Sequence, residues 1–306
     1  MSVAVSTPQP WPGQPDAHQP YPAEPPRAPL PQETAGGTPA SLPELLTREY
    51  PAGTVRGIPI LVHATLPLFF AAQFLCSPHW DAASVLSRLV VGGPVLLGTV
   101  LCHELGHAVA CRRVGGTAQR ILLWPLGGLA YIAHDAGERS DMLVTIAGPA
   151  THVPQALVWL VLAAASNEGH GVSHGAYNTF ALICLQSMRL NLLLLCFNLF
   201  LPAYPLDGGR LLVDALLLRG WRMEPTARAA GWASAVLAAG LACWGVVAGS
   251  VLMVFVAAWI GKSALDVINK LKVPGAIAFD PMFGHLPLAR RQELAQPDKQ
   301  QMLGTV

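Results

Sequence analysis

The chain has 306 residues, 52% of them hydrophobic and only 12% charged, with a formal net charge of +1. A soluble domain carries about twice that charged share, so a soluble enzyme is excluded and the composition predicts an all-α polytopic membrane protein in a lipid bilayer. No cluster of Lys and Arg interleaves with aromatics, which argues against nucleic acid as a partner.

Residues 1–45 are crowded with prolines (Pro8, Pro10, Pro12, Pro15) among Gln, Ala and Gly, with no charged start leading into an apolar segment. This pattern predicts a disordered Pro-rich tail rather than a signal peptide. Residues 54–63 begin as a short strand, turn at Gly57 and Pro59, and lead into an uncharged run ending near Ser77, the first expected membrane helix. A polar link over 78–88 precedes a second helix, about 89–112, stopped by Arg112-Arg113 and Gly115-Gly116. Two short strand-like runs, 119–124 and 128–133, flank Pro125 and Gly127-Gly128 and predict a small β-hairpin. Asp141 opens a third helix, about 142–165, interrupted early by Ala147-Gly148-Pro149. A fourth spans about 178–201 and runs into 202–210, where two prolines and two glycines force irregular backbone. Such backbone next to a membrane is tolerated only where protein buries it or it lines a wet cavity. The stretch 229–269 has room for two crossings with a turn at Gly249-Ser250, giving about six transmembrane helices.

The basic residues Arg112, Arg113, Arg120, Arg139, Arg219, Lys262 and Lys270 gather on one side of this arrangement. The positive-inside rule then sets both termini in the cytoplasm and the hairpin at the cytoplasmic face of the cell membrane.

Within the second helix lies His103-Glu104-Leu105-Gly106-His107. Four residues apart, the two histidines share one helix face and can reach one metal ion, with Glu104 beside them. Each ionisable group in the middle of a membrane helix costs about 2 kcal/mol or more to insert, a cost that a shared ion explains. Two histidines leave a tetrahedral zinc one protein ligand short once a water takes the fourth place. Asp207, in the broken segment at the same depth, is the candidate third ligand; its alternative reading is an ordinary Asp-Gly turn residue.

Four stretches together carry a resemblance: His103-Glu-Leu-Gly-His107, Trp124-Pro-Leu-Gly-Gly-Leu-Ala130, Ala147-Gly-Pro149, and the run from Asn198 through Pro202 and Asp207 to Arg210. In this order they resemble the site-2 protease family of intramembrane zinc metalloproteases (peptidase family M50), in the branch without a PDZ domain and here without CBS domains. The resemblance implies that His103, His107 and Asp207 hold Zn2+ and that Glu104 is the general base. It implies membrane-anchored proteins as substrates, with Asn198, Gly127 and Gly128 at the substrate-binding surface. The protease domain is expected over 46–272, with 273–306 as a C-terminal cytoplasmic tail. Asn198 and Pro202 are four residues apart where the family often spaces them by three. Where the family often has Asn, this chain has His152, either a packed polar residue or a neighbour of the site. The alternative function is a non-proteolytic zinc-containing membrane scaffold or transporter; the sequence does not specify an oligomeric state.

Overall fold

The computed structural model describes residues 46–75, 81–166 and 174–295, so the Pro-rich tail expected over 1–45 lies outside the described residues. The chain enters through two strands, β1 (Glu49–Val55) and β2 (Ile58–His63), joined at Arg56 and Gly57. Both turn residues have positive φ, 51° and 73°, as a two-residue hairpin of the favoured twist requires. The turn expected at Gly57 is found, but the strand before it starts at Glu49 rather than at Thr54, and the chain after it continues as a second strand. Helix α1 (Thr65–Leu75) follows.

Helix α2 (Ala82–Val90) begins inside the expected polar link, because the Asp81 side chain accepts a hydrogen bond from the Ser84 amide at 2.9 Å and caps it. A π-helical turn (Val91–Val95) accommodates Pro94, which has no amide to donate, and passes directly into α3 (Leu96–Arg113). Then come β3 (Thr117–Trp124) and β4 (Gly127–Ala133), the expected hairpin. It does not stand alone. The sheet has four strands in the order β1-β2-β3-β4, with β2 parallel to β3 and the other pairs antiparallel. Ile58, Ile60, Ile121 and Leu123 form its buried face and pack on Ala108 of α3, so the sheet is fastened to the helix that carries the two histidines.

The third expected helix is two segments, α4 (Glu138–Ala150) and α5 (His152–Ser166), which meet at Thr151. Helix α6 (His174–Phe200) leads to the turn over 201–206, and α7 (Asp207–Leu218) starts at the aspartate itself. Asp207 thus opens a helix, where the sequence suggested a loop. Gly208 and Gly209 explain the misreading: a Cβ on either would overlap the backbone at Leu201 or at Ala203 and Tyr204, so these glycines permit close approach inside the first turn. Helices α8 (Met223–Val247) and α9 (Val251–Lys270) are the two expected crossings, separated at Gly249-Ser250.

Among the described residues, five helical stretches are long and apolar enough to cross a membrane: 82–113, 138–166, 179–200, 223–247 and 251–270. Helix α1, at eleven residues, is shorter than a bilayer requires. The protein is a polytopic, mostly helical membrane protein with a small sheet.

The last segment departs most from expectation. Residues 273–306 were expected as a tail, yet the chain folds as far as α10 (Leu288–Ala295) through 3-10 turns at Ala276–Phe279 and Pro281–Phe283. Met282, Phe283 and Leu286 are buried against Val213 and Leu217 of α7 and Met223 and Ala227 of α8. This apolar contact holds the segment down where periodicity could not announce it.

Candidate metal centre

His103 and His107 project from one buried face of α3, and their Nε2 atoms stand 3.0 Å apart. Asp207 meets them from the first turn of α7. Its Oδ2 is 3.2 Å from His103 Nε2, and its Oδ1 is 3.4 Å from His107 Nε2. Oδ2 is buried without a hydrogen-bond donor.

The far ring nitrogens decide what these near atoms can be. His107 Nδ1 lies 2.9 Å from the Val144 carbonyl, a pure acceptor, so Nδ1 carries the proton. His103 Nδ1 lies 3.0 Å from His152 Nε2, and His152 Nδ1 lies 3.2 Å from Asn191 Oδ1. Asn191 in turn donates through Nδ2 to the Ser187 carbonyl at 3.0 Å, which orients its amide. Followed back from that carbonyl, His152 donates to Asn191 and accepts from His103. Both metal-facing Nε2 atoms therefore present lone pairs.

Two imidazole lone pairs and a carboxylate crowded within 3.0–3.4 Å, with no donor among them, repel one another unless a cation sits between. A tetrahedral ion with ligand distances of about 2.0–2.1 Å spaces its ligands by about 3.3 Å. The N, N, O donor set and its spacing fit zinc, with room for a water as fourth ligand.

Glu104 neighbours this triad, and its Oε2 accepts the Ala130 amide of β4 at 2.8 Å. The carboxylate is thereby fixed at the outer edge of the terminal strand of the sheet. Two glycines make room for these groups: a Cβ at Gly128 would overlap the Glu104 side chain, and one at Gly148 would overlap the His107 ring. The Gly-Gly and Ala-Gly-Pro motifs are clearances for the site.

A cavity of about 320 Å³ opens on these groups. His103, Glu104, His107, Asp207, Gly127, Gly128 and Asn198 all line it, so every candidate site residue of the sequence reaches one space. Asn198 spends one amide hydrogen on the Leu194 carbonyl of its own helix, at 3.1 Å. Apolar side chains, Trp124 and Trp259 among them, form much of the remaining wall. Of the alternatives left open for His152, the neighbour of the site is the one found. Asn191 escaped the sequence reading, although a fully buried amide in an apolar helix was its available signal. Asp141, read only as a helix opener, is buried and accepts from Arg210 and His134.

No family model matches the chain. Rip3 of Mycobacterium tuberculosis is 32% identical over 186 residues, covering 55% of this chain and 44% of that protein. Zinc metalloprotease MJ0392 of Methanocaldococcus jannaschii is 30% identical over 161 residues (52% and 42%). Stage IV sporulation protein FB of Bacillus subtilis is 37% identical over 119 residues (38% and 37%). The chain thus spans less than half the length of each of these relatives. Among solved structures, a site-2 protease from Methanocaldococcus jannaschii superposes with a TM-score of 0.50 at 24% identity, covering 72% of this chain and 94% of that one. That likeness supports the fold, while the relatives and the four motifs bear on descent. Together they make the chain similar to the zinc metalloproteases among these relatives and, in fold, to a site-2 protease.

Proposed function

We propose that this protein is an intramembrane zinc metalloendopeptidase that hydrolyses peptide bonds in or near the transmembrane segments of membrane-anchored proteins. The observation that carries this reading is the convergence of three hydrogen-poor ligand atoms beside Glu104, in a cavity flanked by a strand edge. His103, His107 and Asp207 would hold the ion. When bound, zinc supplies a Lewis acid for the scissile carbonyl and lowers the pKa of a water toward about 7. Glu104 receives the proton of the attacking water and delivers it to the leaving amine as the C–N bond breaks. The Ala130 amide holds the carboxylate in position for both transfers. Val144 and His152 keep the two imidazoles in the tautomers the chemistry requires.

A helical substrate hides its carbonyls in its own hydrogen bonds, so it must unwind locally before attack. Among the described residues, strand β4 ends the sheet order, which leaves its outer edge to pair with an extended segment, and Glu104 occupies that edge. Gly127, Gly128 and Asn198 are the residues we assign to substrate contact. The distribution of Arg and Lys supports a cell-membrane orientation with the sheet and the C-terminal flank on the cytoplasmic side. A zinc-holding scaffold would have no use for a carboxylate held at position 104.

The test is metal removal from the purified full chain incubated with a reporter carrying a membrane-embedded segment. A chelator should stop cleavage, and added zinc should restore it. Cleavage that persists after the ion has been stripped contradicts the reading.

A further inference from the structure

Apart from the metal centre, a second buried set of charged groups has been given no role. Asp141 Oδ1 accepts Arg210 Nη2 at 2.6 Å and faces His134 Nε2 at 3.0 Å. Its other oxygen is 3.6 Å from Nδ1 of His285, whose Nε2 is 3.0 Å from Asp214 Oδ1. Asp141, Asp214 and His285 are all buried. Three elements of the catalytic half converge on Asp141: the end of β4 through His134, the first turn of α7 through Arg210, and the C-terminal segment through His285.

A second metal ion is one reading of this set, since both Asp214 oxygens and His285 Nε2 lack a well-angled hydrogen bond. Two facts weigh against it. The carboxylates face opposite nitrogens of the His285 ring, whereas ligands of one ion gather on one side. Asp141 also already carries a guanidinium, and a divalent cation beside it would be repelled.

The sequence of α7 supplies a better account. Arg210 and Asp214 are four residues apart on one helix, a spacing at which they can pair with each other. In the structure Arg210 instead reaches across to Asp141 of α4, while His285 occupies Asp214. Burial pushes the Asp214 carboxyl up to about 6, with the facing Asp141 adding to the rise, while His285 and Arg210 hold it down. Without the imidazole, Asp214 could stay ionised only by taking Arg210 from Asp141. If Arg210 turned along its own helix, the link between α4 and the first turn of α7 would be lost. Asp207 projects from that turn, and Arg210 itself lines the catalytic cavity.

We propose that His285 is a positioning residue for the metal centre: by occupying Asp214 it reserves Arg210 for Asp141 and so fixes the helix turn that carries Asp207. The C-terminal segment is then a clasp, not a tail. It is held at this point by the bond from the Gly137 amide to the His285 carbonyl at 3.0 Å, and by Arg290 to Glu138 at 3.3 Å. The inference rests on Asp207 being a metal ligand, but not on the chain being a protease.

The experiment compares full-length wild type, His285→Asn, Asp214→Asn and the double variant, purified in detergent. The zinc content of each is measured, and so is the release of zinc to a competing chelator. His285→Asn should lose zinc to the chelator about tenfold more readily than wild type. Removing the rival carboxylate with Asp214→Asn should restore retention in the double variant to within about twofold, and alone should leave it near wild type. Restoration is the reading that mere packing would not produce. The proposal is overturned if His285→Asn retains zinc like wild type. It is equally overturned if the double variant is no better than His285→Asn in folding or zinc, or if wild type holds a second zinc that His285→Asn lacks. Zinc retention needs no substrate, so failure of the protease reading would appear separately, as a zinc-loaded wild type that cleaves nothing.

Discussion

His152 holds the far nitrogen of His103 from a neighbouring helix, and Asn191 holds His152 from a third, so one metal-facing lone pair is set by a relay across α3, α5 and α6. His152→Leu removes the acceptor for His103 Nδ1 while filling similar space. Zinc affinity should fall by about 10-fold to 100-fold, measured by chelator competition, and unchanged affinity would mean the relay is only packing. Asp207 is tested on its charge. Asp207→Asn keeps the turn chemistry and nearly the volume but removes the anion that the two imidazole lone pairs and the ion require. Bound zinc per purified chain should drop sharply, whereas a turn residue would tolerate the change with full zinc and full activity.

At the scale of the element, what the sequence made legible was what a short period encodes. The four-residue spacing of His103 and His107 gave their shared face, and the paired glycines with β-rich flanks gave the hairpin. Legibility failed where a residue had two physical uses. Gly208 and Gly209 read as helix breakers, yet they sit within the first turn of α7 because only a hydrogen fits against the preceding turn. The turn at Gly57 was legible, but nothing before Thr54 announced that β1 starts at Glu49 and pairs along β2. Asp207 could be nominated from chain order and depth, but its meeting with α3 is a tertiary fact. The edge of β4 also yields a prediction. If substrates pair there as extended segments, reporters with a Pro in the apolar stretch should be cleaved faster than the same reporters with Leu at that position. Initial rates across such a series check this, and equal rates would remove local unwinding from the pathway.

Across the whole molecule there are two buried polar centres: the triad with Glu104, and Asp141 with its three partners. Both draw on α7, which begins with Asp207 and carries Arg210 and Asp214 a turn apart. The second centre could not be read from the sequence because His285 lies within an aperiodic run, 273–287, rich in Pro and Gly. That run folds only against the apolar faces of α7 and α8. The first centre was legible because its chemistry is written in residues four apart.

The central claim, that Glu104 performs proton transfer beside an ion it does not hold, has one direct measurement. Glu104→Gln keeps the side chain's size and leaves His103, His107 and Asp207 untouched. Zinc content and turnover of a membrane-embedded reporter are measured on the same purified preparation. The account predicts zinc equal to wild type with turnover reduced by at least about a hundredfold; turnover near the wild-type rate would contradict it.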